Sequence, residues 1–366
     1  MDPMSTVNAS TILRTSPKVG VDGRKLPEGA EPGALGRLRH AAELGLDGVF
    51  FRSILEMSET LDPGELREVR ALADELGLYL EAGVGKVNPY ATPETPEIRI
   101  LGDGDYLRGM ERMIQAAAEI GIHELWTGTA NYKFGLPGYF VFDRFRTDAP
   151  WPDQLTATVK VLRSLAPVLN ETGSHLNLET HEEITSFELV RIVEEVGPDT
   201  VGITFDIGNV LVRAEDPVKA AQRVAPYVRM THVKDAGLYF TDFGIGHQLV
   251  PVGQGVIDWE GVFGVLRLEA PHVNLSIENP QLRFEMPLHV YDPTWRAAHP
   301  DLTTDELAAI VQMTVVHESR IRDGLAPTRE QVYAAPCESE DQLAFITESA
   351  AFIRETLAKV AGRGDC

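Results

Sequence analysis

Glu179 and His181 sit two residues apart in the stretch HLNLETHEEITSF, residues 175–187. In steps of two, Leu176, Leu178 and Thr180 share one face and Asn177, Glu179 and His181 the other, so a short strand would end by presenting a carboxylate beside an imidazole. Taken alone this is also what a half-exposed strand with a wet polar face looks like. The same alternation recurs further along the chain. Thr204 and Asp206 oppose Ile203 and Phe205, His232 and Lys234 oppose Val233, and Asn274, Ser276 and Glu278 oppose Val273, Leu275 and Ile277. Arg52 and Glu81 end two earlier runs in a similar way, and Trp126 lies in a third.

Three carboxylates brought into one confined mouth repel each other, and burying them uncompensated is costly or forces protonation. A single divalent cation held by Glu179, Asp206, His232 and Glu278 resolves this. One imidazole and three carboxylates without thiolates suit Mn²⁺, Mg²⁺, Co²⁺ or Zn²⁺, and the oxygen-rich set leans to Mn²⁺ or Mg²⁺. The alternative is a salt-bridge network in which Arg24, Arg52 and Lys234 neutralise the acids. Lys234 could equally hold a substrate oxygen. Asp235 would orient His232 or begin the next loop.

Positioning these groups requires an architecture with many strand ends at one place. Short β-like runs at 18–25, 46–53, 78–85, 122–129, 175–180, 200–210, 228–235 and 273–280 alternate with helical patterns at 33–45, 62–77, 105–121, 152–173, 186–197, 216–226, 258–270 and 343–361. Glycines in AELGLDG, DELGLYL and AEIGIHEL close helices just before strands. Eight such units without a linker favour a (β/α)8 barrel over an open doubly wound sheet. Residues 1–17 read as a tail and 18–366 as one domain. In a barrel the outward face is apolar because helices cover it, so the polar series points inward and its last members reach the C-terminal mouth. Two connections exceed the fold's needs: an aromatic loop at 130–151, with Tyr132, Phe134, Tyr139, Phe140, Phe142, Phe145 and Trp151, and an insertion at 281–341 after the eighth strand, helical near 303–323. Both should overhang the C-terminal face.

Bulk properties remove whole classes of function. The 366 residues carry a formal net charge of −22, which opposes phosphate backbones and anionic membranes. Nucleic acid and membrane are therefore not expected partners. Only Cys337 and Cys366 occur, so neither a disulfide framework nor a thiolate metal site can be built. No run approaches the roughly 20 apolar residues of a membrane span, and the first residues lack a signal-peptide core. A soluble cytoplasmic protein is the expectation. The apolar content of the two long connections suggests a homo-oligomer or a complex with a separate small subunit.

The segments NLETH, TFDIGN, THVKD, VGQGVIDW and SIEN resemble the successive strand-end motifs of the xylose-isomerase-like barrels, the sugar phosphate isomerase/epimerase group, over roughly residues 18–280 plus the last helix. The resemblance implies that Glu179, Asp206, His232 and Glu278 are metal ligands and that Glu179 and Glu278 are also the proton-transfer pair. It does not choose the reaction, because isomerases, epimerases, dehydratases and the catalytic subunits of C-glycoside deglycosidases share the motifs. Glu-x-His at residues 179–181 resembles the dehydratase and deglycosidase branches, making His181 a candidate acid or base; otherwise it is a bystander hydrogen-bonding a neighbour. His247, in the long loop after the seventh strand, is a weaker substrate-binding candidate beside Lys234, Arg52, Glu81 and Trp126. VGQGVIDW reads as scaffold, with Asp258 as a helix N-cap. The substrate expected is an unphosphorylated sugar or glycoside, attacked by proton removal next to a carbonyl, with a lean to lyase chemistry on 3-keto C-glycosides. A simple ketose isomerase or epimerase and an inosose-type dehydratase are the alternatives. An endonuclease IV-like hydrolase is disfavoured by the charge and by the few histidines.

Overall fold

In a computed structural model, the described residues are 17–362 except Ala30, 131–132, 134 and 279–284. The tail expected over 1–17 therefore lies outside them but for Pro17, as do Tyr132, Phe134 and the first residues of the insertion.

Eight parallel strands close into a barrel: β1 (Val19–Asp22), β2 (Gly48–Phe51), β3 (Tyr79–Gly83), β4 (Glu124–Thr127), β5 (His175–Glu179), β6 (Val201–Asp206), β7 (Val228–Val233) and, eighth around the barrel, β10 (Leu275–Ile277). β10 pairs with both β7 and β1, which completes the closure. The surrounding helices are α1 (Gly33–Glu43), α2 (Pro63–Leu76), the short α3 (Pro96–Leu101), α4 (Tyr106–Glu119), α5 (Trp151–Thr172), α6 (Ser186–Val196), α7 (Pro217–Val224) and α8 (Trp259–Glu269). The long C-terminal helix follows the insertion. This is the (β/α)8 architecture expected from the alternation.

Local chemistry explains the boundaries. Asp62, Asp105, Thr185, Asp216 and Asp258 each accept a backbone N–H at a helix start, satisfying donors that the first turn leaves open. Gly45, Gly77 and Gly121, from the three Gly-terminated segments, have φ of +69°, +71° and +74°, values at which a side chain would be strained. The strands bury Leu176, Leu178, Ile203, Phe205, Leu275 and Ile277 against the helices. Each such side chain contributes about 1.5–3 kcal/mol of burial. Inside the barrel, Phe50, Trp126 and Met230 form a separate apolar cluster.

One expectation is corrected. The segment after β7 is not a loop: β8 (Asp235–Thr241) and β9 (Gly244–Val250) form an antiparallel hairpin, extended to three strands by β11 (Met286–Leu288) from the insertion. The insertion continues with α9 (Pro293–Ala297), α10 (Thr304–Arg322) and α11 (Arg329–Ala334) before α12 (Ser339–Gly362). The hairpin is a strand pair because elements about 40 or more residues away complete it. The His317 Nδ1 of α10 is 3.0 Å from the Leu238 carbonyl of β8, and β11 supplies the third strand. Insertion and aromatic loop also meet, through Tyr139 to Asp292 and Arg144 to the Ala298 carbonyl. Among the described residues no helix is long and apolar enough to cross a membrane.

Candidate metal centre and active site

β5 ends at Glu179, opposite Thr204, and β6 runs two residues further to Asp206, which stands opposite His232 of β7 because the ladder slips by a residue between Ile203 and Thr204. Glu278 follows β10 directly. Each of Glu179, Asp206, His232 and Glu278 offers a ligand atom within 4.8 Å of the others, and all four residues are buried. Thr180 fixes the neighbouring backbones: its hydroxyl accepts from the Asp206 N–H at 2.7 Å and donates to the Asp206 carbonyl at 2.9 Å. Asp206 Oδ1 accepts from the N–H groups of Gly208 and Asn209 at 3.0 and 2.9 Å.

Around the carboxylates stand hydrogen-bond donors of two kinds. Glu179 is held by the ring nitrogen Nδ1 of His232 at 3.0 Å and by the indole N–H of Trp126 at 3.0 Å. Burial alone would raise its carboxyl, but His232 brings it well below the usual carboxylate range. Glu278 faces cations: Arg52 on Oε1, Lys234 at 2.9 Å from Oε2, and Lys25 at 3.9 Å from Oε1. Against its burial, Arg52, Lys234 and Lys25 hold it ionised. Arg52 also bonds Asp22 at 2.7 Å. Lys234 lies 2.9 Å from Asp206 Oδ2 as well, although among the described residues no directed hydrogen bond reaches that oxygen. Burial works against the ammonium, but Asp206 and Glu278 keep its pKa raised.

The donor set fits a divalent cation. Hard oxygens and one imidazole converge within coordination span, and Asp206 Oδ2 is buried without a directed hydrogen-bond partner among the described residues. Arg52 and Lys234 of the alternative salt-bridge network do contact the acids. Arg24 does not: it binds Glu56 at 2.8 Å, and its neighbour Lys25 is the residue turned toward Glu278.

His181 lies at the rim, where its Nδ1 is within 2.9 Å of Glu182 Oε2 and 2.5 Å of Glu183 Oε2. Burial opposes the charge, but the two carboxylates hold the imidazole protonated well above its ordinary range. Trp126 and Lys234 touch the cluster directly. Glu81 does not join it: its carboxylate accepts from Asn274 and Ser276 at 2.9 and 3.1 Å, two and one inward-facing positions before Glu278 along the chain. His247 is fully buried on β9, within electrostatic reach of Lys234 and Glu182. Asp235 does not touch His232; it gathers the N–H groups of Gly253 and Gly255 and the indole of Trp259, so the VGQGVIDW segment is scaffold. A Cβ on Gly255 would fall 2.1 Å from Asp235 Oδ1, which is why only glycine fits.

Sequence reasoning missed Lys25, Glu182, Glu183, Asn209 and Arg213. Asn209 is fully buried with neither side-chain atom hydrogen-bonded among the described residues. Its place in TFDIGN, three residues after Asp206, was a usable signal. Arg213 carries no such signal: it lies beneath Phe142, Phe145 and Trp295, so aromatics of the loop and the insertion are spent on a guanidinium.

Fold and site together define a barrel of the xylose-isomerase-like class, and the chain belongs to the xylose isomerase-like TIM barrel family, whose model matches residues 38–305. Among curated proteins it is 26% identical to the uncharacterised protein YihM of Escherichia coli, over 66% of this chain and 73% of that one. It is 24% identical to the 3-oxo-isoapionate decarboxylase of Pectobacterium atrosepticum, over 68% and 78%. Among solved structures it superposes on the 3-keto-D-glucoside 4-epimerase YcjR of E. coli with a TM-score of 0.53 and 20% identity, covering 81% of this chain and 99% of that one. The characterised relatives are sugar-modifying enzymes.

Proposed function

We propose that the protein is a divalent-metal-dependent enzyme that removes a proton next to the carbonyl of a keto-sugar, with elimination from a 3-keto-glycoside as the favoured outcome. The observation that carries this is the convergence of Glu179, Asp206, His232 and Glu278 from four strand ends. A cation bound by them would supply Lewis acidity to a substrate carbonyl and stabilise the enediolate. Relatives named for a 3-keto-glucoside and a 3-oxo-isoapionate support a keto-sugar substrate.

The chain's own residues divide the work. Glu179 and Glu278 both stay ionised, and either can take the carbon-bound proton. The electron pair of that C–H bond becomes the new double bond, and the bond to the substituent one carbon further on breaks. His181, kept protonated by Glu182 and Glu183, has its Nδ1 engaged by them and its other nitrogen left for the departing group, which takes its proton. Return of the proton by the second carboxylate instead gives epimerisation; the two flanking carboxylates support that second reading.

The purified protein, with metal content checked, is assayed in deuterated water on 3-keto C-glycosides, 3-keto O-glycosides and free ketoses. Solvent exchange at the carbon next to the carbonyl and cleavage of a glycoside are expected. His181→Ala should keep its metal and lose cleavage by roughly 10²–10⁴-fold, the usual value of a positioned acid or base. Rapid turnover of free ketoses by both proteins, without glycoside cleavage, eliminates the lyase and leaves an epimerase or isomerase. No exchange on any substrate rejects the reading altogether.

A further inference from the structure

Lys234 stands where its charge has a second consequence. Its ammonium is 2.9 Å from Asp206 Oδ2 and 2.9 Å from Glu278 Oε2, so it bridges two of the four groups that would hold a cation. The side chain is buried, and its stem is confined: a Cβ on Gly208 would lie 2.6 Å from Lys234 Cγ. The two contacts are unequal. The ammonium donates to Glu278 with hydrogen-bond geometry, whereas toward Asp206 it is close but undirected.

Close by, His247 on β9 is fully buried; among the described residues neither ring nitrogen makes a hydrogen bond of full geometry, and the Gly208 backbone only partly offsets the burial of the ring. Burial and the Lys234 charge lower its pKa to about 4, so the ring is neutral and one nitrogen is an acceptor. Unpaired buried polar groups are costly and uncommon, and this one lies within electrostatic reach of Lys234.

We propose that Lys234 is a resident cation of the carboxylate cluster that competes with a divalent ion for Asp206 and Glu278, and that the imidazole of His247 is its second seat. This rests on the cluster being a metal site, the reading given above. A dication and an ammonium on the same two carboxylates repel strongly at such range in a buried site. The ammonium yields Asp206 first, because no directed bond holds it there, and turning on its stem it meets the unpartnered nitrogen of His247. Arg52 and Lys25 remain on Glu278 Oε1 throughout, so that carboxylate never stands alone.

The test uses the full chain stripped with EDTA and titrated calorimetrically with Mn²⁺, with thermal unfolding recorded before and after. Wild type comes first. If it takes up no Mn²⁺ in a manner abolished by Asp206→Asn, the metal reading has failed, and the lysine proposal falls with it for that stated reason. If it does, Lys234→Met, which keeps the stem and removes the charge, should bind Mn²⁺ at least about fivefold tighter, the low end of common coupling factors. The same variant, EDTA-stripped, should melt at a lower temperature, because Asp206 and Glu278 lose a counter-charge. These opposite signs separate competition from bracing. Weaker or unchanged Mn²⁺ binding together with a lower melting temperature means a brace and overturns the proposal. His247→Phe should weaken Mn²⁺ binding several-fold without lowering the melting temperature of the stripped protein; unaltered binding removes the second seat. Should Lys234→Met fail to fold, a wild-type crystal soaked in Mn²⁺ decides. Lys234 Nζ beside His247 supports the exchange, and Nζ still bridging both carboxylates beside the ion refutes it.

Discussion

Two layers of the barrel interior bury glutamates to the same depth and treat them differently. Glu81, in the lower layer, is 6% exposed and Glu278, at the mouth, 7%, so accessibility does not separate them. Their partners do. Glu81 accepts from an amide and a hydroxyl, Asn274 and Ser276, and Ser276 is in turn 2.8 Å from the Tyr79 hydroxyl. Burial pushes its carboxyl up, and these neutral donors only partly offset the rise. Glu278 meets Arg52, Lys234 and Lys25 and is driven far down instead. Neutral donors satisfy an acid without committing its charge, whereas cations keep it ionised and able to exchange for another cation. Of these two glutamates, the cation-paired one is the one that follows a strand end, beside Glu179, Asp206 and His232.

The largest effect that can break this contrast is at the mouth. Asp206→Asn and His232→Ala should lose bound metal and activity together, by more than the 10–100-fold typical of outer-shell partners, as read by elemental analysis and rate. Full occupancy and rate in both would remove the site assignment. Next in size is a third buried acid, Glu215, which sits outside both layers and is raised to about 7 by burial despite Ser186 and Arg223. With a folded pKa above the ordinary glutamate value near 4.3, its contribution to stability is full below that value and is lost as pH rises through about 7. Unfolding free energy should therefore fall between roughly pH 4 and 7 by on the order of 1–3 kcal/mol from this group. Denaturant curves of Glu215→Gln should lack that component, and an unchanged slope rejects it. Smallest is Glu81→Gln, expected to cost about 1 kcal/mol in urea unfolding and to leave metal content and rate untouched. Loss of metal in that variant would merge the two layers into one site.

Much of this was legible in the chain. The strand alternation placed Leu176 and Leu178 outward and Asn177 and Glu179 inward because the period of two is a property of extended backbone. Gly45, Gly77 and Gly121 punctuated the helices because their positive φ is a local demand. Periodicity failed at turns. Beyond Asp22 the chain bends, so the inward series no longer predicts direction, and Arg24 reaches Glu56 while Lys25 reaches Glu278. It failed also for height: Glu81 shares a face with groups at the mouth but sits a layer below them, and strand stagger in a closed barrel is not written in any single strand.

What the sequence by itself determined is the set of inward-facing groups and the barrel that collects them, since both follow from backbone periods and burial of the apolar face. Tertiary structure alone decided which cation meets which acid. It turned a segment read as a loop into the β8–β9 hairpin that carries His247, through pairing with β11 and packing of α10. Those choices depend on contacts between residues far apart in the chain, such as Arg52 with Glu278 and β11 with β9, whose energies are settled only when the chain has closed on itself.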